Sequence, residues 1–178
     1  MDNIDQSKFE KLISEDQIKE KVSELGKLIS QDYQGKEVIA ICVLKGSFVF
    51  AADLLRELEI PNEVDFLAVS SYGASTKSSG IIRILKDLDT SIEDKHVLIL
   101  EDIVDTGLTL NYLLETLSTR KPASLKICTL LDKPERREVD LTPDYLGFEI
   151  PDLFVVGYGL DYAENYRGLP AVYVLPEE

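Results

Sequence analysis

The stretch VLILEDIVDTGLTL, Val97–Leu110, decides how the rest of the chain is read. Four apolar residues in a row, Val97 to Leu100, have the character of a strand buried on both faces. Glu101 and Asp102 end that run, and Asp105 follows beside Thr106, Gly107 and Thr109. Gly107 lets the backbone turn tightly, and Thr106, Thr109 and successive backbone N–H groups suit an anion. A helix starting near Thr109 adds the positive end of its dipole. The segment Asp105–Thr109, with Leu108 inside it, therefore reads as a phosphate cradle. Glu101 and Asp102 cannot bind phosphate themselves. They suit sugar hydroxyls, or Mg²⁺, a hard cation that favours carboxylates and substrate phosphates. Cradle and paired acids together point to a phosphorylated sugar. The plainer alternative, a helix N-cap with acids placed for the dipole, accounts for Asp105 and Thr109 but not for Glu101 and Asp102.

Outward from this stretch the hydrophobic period alternates between helix and strand. Ser14-Glu15-Asp16-Gln17 forms a capping-box pattern, and Ile18, Val22, Leu25 and Ile29 repeat at helical spacing up to a stop at Gly35. Strands are expected at Val38–Leu44, Glu63–Ser70, Ile81–Leu85, His96–Leu100 and Ser124–Leu131, with shorter ones at Leu153–Tyr158 and Val172–Leu175. Helices are expected over Phe48–Leu58 and Thr109–Leu117. Strands alternating with helices predict one α/β domain around a mostly parallel, twisted sheet flanked by helices. In such sheets ligands bind at the carboxyl ends of the strands. Lys45-Gly46, Glu101 to Thr109, Lys133, and Asp161 with Arg167 all fall there, and together they define one rim of one sheet.

The 178 residues carry a net charge of −14, with 44% apolar and 29% charged side chains. That charge argues against non-specific affinity for nucleic acid or an anionic membrane, while a local cluster or a metal ion can still hold an anionic small molecule. Cys42 and Cys128 sit in apolar runs and read as reduced core thiols. The first residues are polar and mixed in charge, and no apolar run approaches the ~20 residues that span a membrane. A cytoplasmic protein is expected. Gly73–Ser78 lacks the second glycine and the Gly-Lys-Ser/Thr step of a P-loop, and no G-x-G-x-x-G occurs. His96 is given no catalytic role. Tyr158, Tyr162 and Tyr166 are read as packing residues, and Arg136 and Arg137 as solvated or at a subunit interface.

An apolar run, two acids, two apolar residues and D-T-G-x-T resemble the phosphoribosyl-diphosphate signature of the type I phosphoribosyltransferases. VLKGSFVF (Val43–Phe50), SSYGAST (Ser70–Thr76), LLDKPERR (Leu130–Arg137) and PDLFVVGYGLDYAENYRGLP (Pro151–Pro170) resemble the hypoxanthine-guanine phosphoribosyltransferases. The likeness runs from about Val38 to Val174. It implies a Rossmann-like core over about 36–145 and a small hood from about 1–15 and 146–178. It implies Mg²⁺-dependent transfer of the phosphoribosyl group from phosphoribosyl diphosphate to a 6-oxopurine, giving a nucleoside monophosphate (IMP or GMP) and pyrophosphate in purine salvage, by a homodimer or homotetramer.

The resemblance also assigns roles. Asp105, Thr106, Gly107, Leu108 and Thr109 hold the 5′-phosphate, with Asp105 as general base. Glu101 and Asp102 face the ribose and a Mg²⁺ ion. Lys45, Gly46 and Arg167 bind pyrophosphate, the turn at Lys45 being one where the family often has a cis peptide. Ser71 and Tyr72 belong to a closing loop. Lys133 donates to the purine 6-oxo group, Phe154 stacks on the base, Val155 pairs through its backbone, and Asp161 reaches a second Mg²⁺ through water. The choice among hypoxanthine, guanine and xanthine stays open. An RNA-binding regulator with the same signature is the contrasting reading, disfavoured by the acidic charge and by the absence of a Lys/Arg cluster beyond Lys133–Arg137.

Overall fold

The computed structural model describes residues 9–71 and 82–176. The expectations placed on Tyr72, on Ile81 and on the first eight residues lie outside them. The elements in order are β1 (Glu10–Ile13), α1 (Glu15–Asp32), β2 (Val38–Leu44), α2 (Phe48–Glu57), β3 (Asn62–Ser71), β4 (Ile82–Lys86), β5 (His96–Val104), α3 (Leu108–Ser118), β6 (Ser124–Asp132), β7 (Tyr145–Glu149), β8 (Val155–Val156) and β9 (Val172–Val174). A short 3₁₀ turn, Pro134–Arg136, follows β6.

Six strands form the main sheet in the order β4-β3-β2-β5-β6-β7. Only β4 runs antiparallel to its neighbour; the other pairs are parallel. Both faces are covered, which is why β2 and the first half of β5 read as unbroken apolar runs. Val38, Ala40 and Cys42 pack with Ile18, Val22 and Ile29 of α1 and with Phe50 and Leu54 of α2. Ile39, Ile41 and Val43 pack on the opposite face with Leu110, Leu113 and Leu117 of α3. The capping box of α1 forms as the sequence pattern predicts: Gln17 N donates to Ser14 Oγ at 3.3 Å, and Ser14 N donates to Gln17 Oε1 at 2.8 Å.

A second, three-stranded antiparallel sheet, β1-β9-β8, joins the two ends of the chain. Three sequence expectations change here. β5 does not stop at Leu100: β6 continues beside it, pairing Glu101 with Thr129 and Val104 with Asp132, so the two acids lie within the strand. The predicted strand at Leu153–Tyr158 shrinks to Val155–Val156, because Gly157, Tyr158 and Gly159 all take positive φ and turn the chain. Asp161 and Arg167 therefore follow a strand of the small sheet, and the site residues do not share one rim of one sheet. β1 and β7 were not anticipated. β7 carries Gly147 in its middle, where a Cβ would stand 2.4 Å from the Leu130 carbonyl oxygen, so close packing against β6 demands the residue that weakens the strand signal.

Leu113 is fully buried between α3 and the sheet. Leu113→Ala is expected to cost about 2–5 kcal/mol, read as a lower urea midpoint with an unchanged slope.

Candidate active site

A cavity of about 250 Å³ opens beyond the ends of β2 and β5, lined by Lys45, Gly46, Glu101, Asp102, Asp105, Thr106, Gly107 and Thr109 among others. α3 begins at its edge. Gly107 precedes that helix with φ +83°, and a Cβ there would meet Val139 Cγ2 at 2.9 Å and Arg137 Cδ at 3.0 Å. Conformation and space both call for glycine. The helix starts at Leu108, one residue earlier than predicted, and Leu108 N donates to Thr106 Oγ1 at 3.4 Å.

The cradle loop is held from behind. Lys133 N donates to the Val104 carbonyl at 2.9 Å, an Arg137 Nη to the Asp105 carbonyl at 2.8 Å, and Glu138 N to the Thr106 carbonyl at 2.9 Å. Arg137 is itself locked by an ion pair with Asp132, both side chains being nearly buried. It is thus no solvated arginine, contrary to the expectation from sequence. Tandem arginines after a strand are equally what a surface turn shows, so no signal in the chain separated the two.

Gly46 lets the turn after β2 approach the acids. A Cβ on Gly46 would stand 1.6 Å from Asp102 Oδ2, and one on Gly159 would stand 2.1 Å from the Gly46 carbonyl oxygen. The Leu44–Lys45 peptide at this turn is cis. Asp102 Oδ1 accepts from Ile103 N at 2.9 Å. Burial pushes the Glu101 carboxyl well above the usual carboxylate range, and the neighbouring Asp102 charge adds to it. Burial also raises Asp102, opposed by hydrogen bonds and by the Arg167 cation. Paired carboxylates under that strain are where a cation relieves both, which fits Mg²⁺ shared with substrate oxygens. Among the described residues no group of three or more ligating side chains forms an all-protein cage.

The small sheet delivers the opposite wall. Arg167 donates to the Gly159 carbonyl at 2.8 Å and pairs with Asp161 at 2.8 Å and Glu164 at 3.3 Å. Glu164 also pairs with Lys45 at 3.1 Å, so Lys45 and Arg167, predicted for pyrophosphate, share one carboxylate. Those two cations hold the Glu164 carboxyl below its ordinary range. Asp161 Oδ2 accepts from Glu164 N at 2.8 Å.

The base-binding candidates cluster beyond Asp105. Lys133 is buried, and its Nζ stands 3.7 Å from Asp152 Oδ1. Phe154 is 55% exposed and meets Tyr162 edge-on at 5.7 Å. An apolar strand residue would ordinarily be core; this ring is not. Val155 begins β8 with its side chain buried, and Ser71 ends β3. Tyr158 is buried, Tyr162 lies on Phe154 and Tyr166 on Phe9, so the three tyrosines form no ladder. Asp105 accepts from Arg136 Nε at 3.1 Å, an ion pair the sequence did not suggest.

The raised carboxyls fix a pH dependence. A carboxyl whose folded pKa lies above its unfolded one lets the folded state bind more protons, so the penalty of ionising it is absent below ~4 and grows as pH rises through the folded value. Glu101→Gln is expected to raise the melting temperature of the ligand-free protein by ~2–4 °C at pH 8 and to leave it unchanged near pH 4, read by calorimetry. No gain at pH 8 would contradict the strained pair.

Residues 12–163 match the family model of the phosphoribosyl transferase domain. The chain is similar to the hypoxanthine-guanine phosphoribosyltransferase of Bacillus subtilis (strain 168), 56% identical over 92% of this chain and 91% of that one. It is 53% identical to the enzyme of the same name from Dictyostelium discoideum, over 95% of this chain and 96% of that one. A crystal structure of a hypoxanthine-guanine phosphoribosyltransferase from Bacillus anthracis matches with a TM-score of 0.90 at 53% identity, covering 94% of this chain and 98% of that one. With cradle, paired acids and second sheet arranged as above, the chain belongs to the phosphoribosyl transferase family, on its hypoxanthine-guanine phosphoribosyltransferase branch.

Proposed function

We propose that this phosphoribosyltransferase transfers the phosphoribosyl group of phosphoribosyl diphosphate to hypoxanthine or guanine, in purine salvage in the cytoplasm, with Mg²⁺, giving IMP or GMP and pyrophosphate. The observation that carries the choice of base is Lys133: a buried ammonium with three donors, whose carboxylate partner at 3.7 Å lies beyond hydrogen-bond reach. Such a cation suits a carbonyl oxygen and rejects an amino group. Phe154, exposed two residues after Asp152, supplies a ring face for a planar base.

In this reading the N–H groups and hydroxyls from Asp105 to Thr109 take the 5′-phosphate, and Glu101 and Asp102 accept from the ribose hydroxyls. The same two carboxylates would hold Mg²⁺, which when bound supplies positive charge at the leaving diphosphate. Lys45, the Gly46 turn and Arg167 take the diphosphate; for this, Glu164 must yield the two cations it now occupies. Lys133 fixes the 6-oxo group, Phe154 stacks, Val155 offers its backbone, and Asp161 would help hold a second Mg²⁺, which when bound would add positive charge near the diphosphate. The bond from the anomeric carbon to the diphosphate oxygen breaks, its electron pair leaving with diphosphate. The bond to the unprotonated imidazole nitrogen of the purine forms through its lone pair, and the proton of the other imidazole nitrogen passes to the Asp105 carboxylate.

A spectrophotometric assay with phosphoribosyl diphosphate, Mg²⁺ and each of hypoxanthine, guanine, xanthine, adenine and uracil tests the reading. Turnover of hypoxanthine and guanine without adenine or uracil is expected; equal rates on adenine would overturn the role of Lys133. A positioned base contributes ~10²–10⁴ in rate. Asp105→Asn is therefore expected to lower kcat by about that range while KM for phosphoribosyl diphosphate stays within a few-fold. A large rise in that KM with kcat unchanged would move Asp105 from the chemistry to the cradle.

A further inference from the structure

Arg136 has two carboxylates within reach of one nitrogen. Its Nε donates to Asp105 Oδ1 at 3.1 Å and stands 3.7 Å from Asp152 Oδ1. That same Asp152 oxygen is 3.7 Å from Lys133 Nζ. The Nε hydrogen bond goes to Asp105, the nearer of the two acceptors. Asp152 is left midway between two cations, at hydrogen-bond distance from neither. The backbone beneath these groups is fixed: Arg136 N donates to the Lys133 carbonyl, and Glu138 N to the Thr106 carbonyl. Arg137 is locked by its nearly buried pair with Asp132, whereas the Arg136 and Asp152 side chains are about half exposed. Only the latter two are free to change partners, and pairs this exposed are weak and exchange readily.

We propose that Arg136 and Asp152 are positioning residues that release Asp105 when the base arrives. The proposal rests on the reading of Lys133 and Asp105 given above. A 6-oxo group that draws the Lys133 ammonium onto itself moves one of the two cations beside Asp152 away from it. The remaining one, Arg136, then moves onto Asp152 and leaves the Asp105 carboxylate without its partner. Asp105 is held by Arg136 while the base site is empty and becomes a free acceptor once a purine N–H is present. The signal travels by exchange of ion-pair partners across three side chains and needs no backbone movement.

A double-mutant cycle in steady-state kinetics tests this. Asp152→Asn leaves Arg136 only a neutral amide oxygen in place of a carboxylate, so kcat with hypoxanthine is expected to fall about fivefold, the upper range of one exposed ion pair. In the Arg136→Gln protein nothing holds Asp105, and the same Asp152→Asn change is expected to cost less than about 1.5-fold, since the two effects couple. KM for phosphoribosyl diphosphate should not move in any of the variants. An equal loss from Asp152→Asn in both backgrounds, or no loss in either, overturns the switch. Asp105→Asn is measured alongside. If it keeps the parental kcat, the base assignment itself fails and the switch with it; if it is slow while the cycle is additive, only the switch fails.

Discussion

Gly159, Gly46 and Asp102 stand in a stack with no room for a side-chain carbon at either glycine. The Gly46 carbonyl oxygen fills the space where a Gly159 Cβ would lie, and the Asp102 carboxylate fills the space where a Gly46 Cβ would lie. The stack sets how near the small sheet comes to the turn after β2, and how near that turn comes to β5. Everything else in the cavity is positioned relative to it: Lys45 is the next residue in the turn, Arg167 is tied to the Gly159 carbonyl, and Glu101 precedes Asp102 in the strand. A methyl group at either glycine would open the wall between the paired acids of β5 and the cations Lys45 and Arg167. Close packing of this kind is felt at the scale of one carbon atom.

The same closeness governs the electrostatics. Glu101 and Asp102 are adjacent in a strand, pressed under a turn and partly buried at the cavity wall, so burial penalises both charges. A protein that only needed a stable strand would place apolar residues there, as it does from Val97 to Leu100. The acids are a local cost that a cation and a polyhydroxyl ligand would relieve, a pattern common where function has displaced stability.

What could be read from the chain followed locality. The turn into α3 was legible because its residues are contiguous, a glycine, two threonines and an acid between a strand and a helix, whereas the fastening of its carbonyls by residues 133, 137 and 138 was not. The main-sheet strands were legible for the same reason, each being a short continuous run. The extent of β5 was not, because its last residues owe their strand geometry to β6, some thirty positions away in sequence. β1 needed β9, at the far end of the chain, to become a strand. The Arg137 contact to the Asp105 carbonyl, the Arg136 pair with Asp105 and the exposure of the Phe154 ring are likewise facts of tertiary placement. Position after a core strand marked Lys133 and resemblance supplied Phe154, whereas the burial of one and the exposure of the other are what make them physically suited to a planar base.

The clamp behind the cradle has a consequence for how the site measures its ligand. The three carbonyls of Val104, Asp105 and Thr106 are fastened to residues 133, 137 and 138, so the amides of the turn into α3 and the backbone that carries Lys133 ride on one stapled block. They cannot drift apart independently. Under the proposed assignment such a block would act as a caliper: its jaws are set before anything binds, and a nucleotide would be gripped at both ends only if its phosphate and its base were separated by the gap already built in. The ordering entropy is spent during folding rather than during binding, so a ligand that spans the gap loses less freedom on arrival, while a free base or a free sugar phosphate engages a single jaw and forgoes the advantage.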